Sequence, residues 1–129
     1  MDNKMIADGW FVMADLDLNS AIFLLSMKPK PLEIIAYHCQ QSAEKYLKGF
    51  IAFHGGEIRK THDLVVLNHD CSQYDSSFEN VMEQCINLTD YGVQIRYPFH
   101  IDVEERDIKM AIEDAQTIKS LVRELTSRS

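Results

Sequence analysis

His38-Cys39-Gln40-Gln41-Ser42-Ala43-Glu44-Lys45-Tyr46-Leu47-Lys48 holds neither proline nor glycine and repeats its apolar residues at helical intervals. Extended to about Leu32 and His54, the segment carries Ile35, Cys39, Ala43, Tyr46, Leu47 and Phe50 along one side. At ~100° per residue, His38, Gln41, Lys45 and Lys48 gather in a narrow arc roughly opposite that stripe. Glu44 stands on the shoulder, spaced to pair with Lys48 four residues on. The arc reads either as a solvated face with one salt bridge or as a surface turned to an anion or nucleotide. Gly55-Gly56 closes the helix, as glycine commonly does.

Upstream, about Ala7 to Met27 repeats the pattern with Trp10, Met13, Ala14, Leu18, Ala21 and Leu25, and Pro29 and Pro31 stop it. Downstream, Thr61 offers an N-cap oxygen and Asp63 a first-turn anion for a third helix through about Cys71. A fourth is expected from about Ser77 to Tyr91 with Phe78, Val81, Met82, Cys85 and Leu88 inward. The fifth, about Val103 to Thr126, has Ile108, Ala111, Ile112, Ala115, Ile118, Val122 and Leu125 as its stripe. No strand-like alternation competes. The fold class is all-α: an antiparallel up-and-down bundle of four to five helices.

The 129 residues suit one domain over 1–129 with one core. Apolar residues make up 46% and charged residues 26%, which excludes disordered and fibrous classes. No stretch reaches the ~20 apolar residues of a membrane span, and the acidic N-terminus does not resemble a signal peptide. A cytoplasmic protein is expected. Three cysteines, an odd number with no CxxC pair, argue for reduced thiols rather than a disulfide framework or a zinc site. Cys39 reads as a small core residue. His62 and His69 lack a third metal ligand at a suitable spacing, so neither a metal nor another cofactor is expected. The net charge of −7 excludes a surface that coats nucleic acid uniformly, though not a local basic patch. No DNA-specific motif, glycine-rich phosphate loop or serine-nucleophile elbow is present.

The connection between the last two helices, Tyr91-Gly92-Val93-Gln94-Ile95-Arg96-Tyr97-Pro98-Phe99-His100, is the second stretch with chemistry. A guanidinium is the side chain best shaped to clamp a phosphate, and an imidazole exchanges protons near neutral pH. Arg96 and His100 together have the parts for metal-independent RNA cleavage: proton transfer by the imidazole and charge stabilisation by the guanidinium. A loop arginine bonded to carbonyls beside a packed histidine is the plainer alternative.

Taken in order, four stations resemble the HEPN domain family over nearly the whole chain. They are Trp10 with the run Ala14 to Ala21, the Gln40-Gln41-Ser42-Ala43-Glu44-Lys45-Tyr46-Leu47-Lys48 helix, Thr61-His62-Asp63-Leu64, and Tyr91 followed by Arg96-Tyr97-Pro98. The resemblance implies a nucleotidyltransferase-substrate-binding-like bundle, usually a homodimer with a polar cleft at its seam. It also implies metal-independent RNase chemistry in some members, with Arg96, His100 and the supporting Glu44 as the matching catalytic residues. Gln41, Lys45, Lys48, Arg96 and Tyr97 are the expected phosphate contacts for a nucleotide or RNA ligand, and the resemblance supports such binding in general. Small proteins of this kind often pair with a minimal nucleotidyltransferase, as toxin-like or nucleotide-binding partner. Here only three residues, Pro98 among them, separate Arg96 from His100, against four to six in the family pattern. That interval ranks nucleotide or RNA-phosphate binding first, with endoribonuclease and non-catalytic helical interaction module as alternatives.

Overall fold

The computed structural model describes residues 1–94 and 102–127, and within them it is helical without strands. Six α-helices follow in order among the described residues: α1 (Asn3–Leu24), α2 (Leu32–Phe53), α3 (Leu64–Ser72), α4 (Met82–Thr89), α5 (Tyr91–Gln94) and α6 (Glu105–Ser127). A 3₁₀ turn, Ser76–Val81, precedes α4.

α1 begins where the Asp2 carboxylate accepts the Met5 amide at 2.8 Å. It buries Ala7, Phe11, Ala14, Leu18 and Ala21 at steps of four and three. Phe11 occupies the inward position and Met13 is exposed, so the buried stripe lies to one side of the expected one. Alanines at every second inward step let α2 approach closely. Ser42 Oγ donates to Ala14 O at 2.8 Å, and a methyl on Gly49 would stand 2.5 Å from the Phe11 ring. Asp17 meets His38, Ala14 meets Ser42 and Phe11 meets Tyr46, so the two helices run antiparallel.

The end of α2 is a Schellman turn. Gly55 takes φ +71°, its amide bonds Ala52 O at 2.9 Å, and the Gly56 amide bonds Ile51 O at 3.0 Å. Residues 54–63 then travel back along α2. α3 starts at Asp63, whose carboxylate accepts from Val65 N at 2.9 Å and Val66 N at 3.4 Å. Asp63, not Thr61, is therefore the cap, because it directly precedes the first helical residue. Thr61 Oγ1 accepts the Asp63 amide at 3.1 Å and shapes the approach.

The single helix expected over about 77–91 is three pieces. Asn68 Nδ2 donates to Phe78 O at 3.0 Å, and the Met82 amide turns instead to Glu79 O. A carbonyl tied to a side chain leaves the i+4 ladder, so the first turn winds tightly around the buried Phe78 ring. α6 closes the core with Ile108, Ala111, Ala115, Ile118 and Val122, while Ile112 and Leu125 pack at its edge. Asp114 is buried in this otherwise apolar stripe beside Asn87, whose Nδ2 donates to Oδ2 at 3.3 Å. Burial raises the Asp114 carboxyl above its ordinary pKa, against the opposing Asn87 hydrogen bond.

Candidate functional site

The lysine arc of α2 is a row of paired charges. Asp17 on α1 receives the Lys45 ammonium and, at 2.9 Å, His38 Nδ1. Lys48 Nζ reaches Glu44 Oε2 at 3.0 Å, the four-residue pair that the spacing predicts. Both partners of that pair are buried, and Lys48 lies 5.9 Å from the centre of the Trp10 ring, which covers it. Asp17, Glu44, Lys45 and Lys48 are two acids and two bases, so their formal charges cancel. The arc is thus no freely solvated face, and its ammonium groups already hold counter-ions.

Glu44 is the centre of a network that no single segment reveals. Its Oε1 faces His62 Nδ1 at 2.9 Å and accepts from Gln40 Nε2 at 3.2 Å. Gln40 Nε2 also donates to His62 O at 3.0 Å, and Gln40 Oε1 accepts from Gln41 Nε2 at 2.8 Å. With Lys48 and Gln40 both donating to it, Glu44 is the ionised acceptor. A carboxylate oxygen accepts, so His62 Nδ1 is the donor of their bond. The imidazole itself is 45% exposed, against 5% for the Glu44 side chain.

α5 rests on the same network. A methyl on Gly92 would stand 2.7 Å from Gln40 Cδ, so this backbone approach requires glycine. Tyr91 is half-buried here, and burial first, then the Asp107 charge, raises its phenol above the ordinary value. The stretch 95–101 follows, and Arg96, Tyr97 and His100 lie in it, outside the described residues. Of the expected site residues, Lys48 bonds Glu44 directly and Gln41 reaches it through Gln40, while Lys45 turns to α1.

The sequence reading missed Gln40, His62 and Asp17 as members of these networks. His62 is not on α3 and shares no helix face with His69. Among the described residues no cluster of three or more His, Cys, Asp or Glu is placed to hold a metal. Arg59 Nε bonds Asp70 Oδ2 at 2.7 Å, which ties the loop before α3 to that helix.

A bundle of helices, without strands among the described residues, defines a class of fold rather than a reaction. The chain belongs to the HEPN domain family, which it matches over residues 7–125. Two solved structures share its fold. TT1696 from Thermus thermophilus has a TM-score of 0.78 at 22% identity, over 92% of this chain and 96% of that one. ST0689, an archaeal HEPN homologue, has a TM-score of 0.74 at 22% identity, over 93% and 97%. No curated protein matches the chain.

Proposed function

We propose that this HEPN domain binds a nucleotide or RNA phosphate beside the contact of α5 with α2, with Arg96 and Tyr97 joining Gln41, Lys45 and Lys48. The observation that carries the reading is the seat of Gly92 on Gln40, one hydrogen bond from Glu44. Arg96 follows Gly92 by four residues, a reach of at most about 14 Å along the chain. The pairing of Lys45 and Lys48 with carboxylates makes a guanidinium the stronger source of attraction for a phosphate. The test is titration with a nucleotide. Saturable binding that weakens with salt and disappears in Arg96→Ala is expected, and parent-like affinity in that variant at equal folding overturns the reading.

The second reading, a metal-independent endoribonuclease using Arg96 and His100, is favoured by the carboxylate–imidazole pair beside the same helix. It predicts 2′,3′-cyclic phosphate ends in chelator-treated RNA digests, abolished in Arg96→Ala and His100→Ala. The reading includes a homodimer, supported by Met5, Val12, Leu16 and Phe23, which stand exposed along one face of α1. Partnership with a nucleotidyltransferase, in a toxin-like pair, rests on the family resemblance and is tested by co-purification.

A further inference from the structure

His38 belongs to the polar arc of α2, yet the phosphate reading leaves it unused. Asp17 on α1 accepts from its Nδ1 at 2.9 Å and also takes the Lys45 ammonium, so the imidazole and a phosphate contact share one carboxylate. The His38 ring lines a hollow of about 420 Å³ at the C-terminal end of α1, together with Asn19, Ser20, Phe23 and Leu24. No Lys, Arg, Asp or Glu lines it. The Phe23 ring is 76% exposed, a large uncovered aromatic surface on its wall. The Ser20 hydroxyl already donates to Leu16 O at 2.8 Å, whereas the Asn19 carboxamide has no partner among the described residues. An uncharged lining with an aromatic face and an open amide suits a flat heterocycle rather than a second phosphate. Bases stack on aromatic side chains, and an asparagine amide pairs with the donor–acceptor edge of adenine.

We propose that this hollow is a base subsite, in which the adenine of a bound nucleotide stacks on Phe23 and pairs with Asn19 while its phosphate meets Lys45. The proposal rests on the nucleotide reading above and deepens it by naming the base. Asp17 sets the spacing. Because it bonds both His38 and Lys45, the imidazole wall of the hollow and the phosphate contact stand side by side, as base and 5′-phosphate do in a mononucleotide. Phe23 also ends the apolar face of α1 read above as a dimer seam, and the two uses of the ring separate by experiment.

The test is calorimetric titration of the full chain with AMP and with ribose 5-phosphate, which carries the phosphate without the base. The parent should bind AMP about tenfold or more tightly than ribose 5-phosphate, as expected for one stacked base. Phe23→Ala should lower AMP affinity to the ribose 5-phosphate level, and Phe23→Trp should keep it. The side chain is exposed, so its truncation leaves the core intact. Asn19→Ala should weaken AMP binding as well. Equal affinity of the parent for the two probes, or parent-like AMP binding in Phe23→Ala, overturns the base subsite and leaves the phosphate reading standing. So does a loss in Phe23→Ala that vanishes at protein concentrations where ultracentrifugation shows a dimer, which would assign the ring to the seam. A parent that binds neither probe overturns the subsite together with the reading beneath it.

Discussion

His62 and Glu44, 18 residues apart in the chain, meet through a 2.9 Å contact between Nδ1 and Oε1 at the wall of α2. The same carboxylate neutralises Lys48, so it serves a buried cation and a half-exposed ring at once. Glu44→Ala should destabilise the domain by about 3–5 kcal/mol, because it leaves an ammonium without its counter-charge in the interior. Urea unfolding would measure this. Replacing both partners, as in Glu44→Leu/Lys48→Met, should recover much of the loss, whereas an equally unstable double variant would show that Glu44 acts through other contacts.

Gly92 is the point at which α5 touches the network. Gly92→Ala places a methyl 2.7 Å from Gln40 Cδ. The side chain beneath is fully buried and bonded at both ends of its amide, so it yields poorly. A cost of about 1–3 kcal/mol is expected. Nucleotide affinity should fall as well, since the chain leading to Arg96 is displaced. A variant with parent-like unfolding and affinity would show that α5 shifts freely on α2.

Asp114 makes stability depend on pH. Its folded pKa is raised by burial, so the folded chain holds that proton more tightly than the unfolded one. The contribution is fully present below the unfolded value, about pH 4, and is lost as pH rises through the raised folded value. Asp114→Asn keeps an acceptor for Asn87 and carries no charge. It should be more stable than the parent at neutral pH, with the difference closing below about pH 4. Thermal unfolding from pH 3 to 7 distinguishes this from a constant offset.

The thiols should be inert in the folded protein. Burial, helped by the Asp114 charge, pushes Cys39 and Cys85 up to about 12, and Cys71 is likewise raised well above its ordinary value. Iodoacetamide at pH 8 should leave all three unmodified by mass spectrometry. Urea should expose them together, as expected when one cooperative core holds them. Rapid labelling of any one in native buffer would show local opening near that residue.

Much of the bundle was legible because its signals are local. The α2 stripe, the Gly55–Gly56 stop and the α6 stripe all follow from periodicity and backbone chemistry within a few residues. Where the reading slipped, a distant group intervened. Asn68 takes the Phe78 carbonyl and breaks the expected fourth helix, and Phe11 rather than Met13 fills the space facing Gly49. The Glu44–Lys48 pair was readable at four-residue spacing, but its burial under Trp10 was not.

The order of amino acids alone determined that this chain is a HEPN bundle, since helical period, caps and breakers act between neighbours and four such stations stand in sequence. Only the tertiary structure decided what the polar residues of α2 face. The loop after α2 doubles back, bringing His62 onto Glu44, while α1 presents Asp17 to Lys45. Contacts across such distances depend on how rigid helices pack, and packing is decided by the whole core at once.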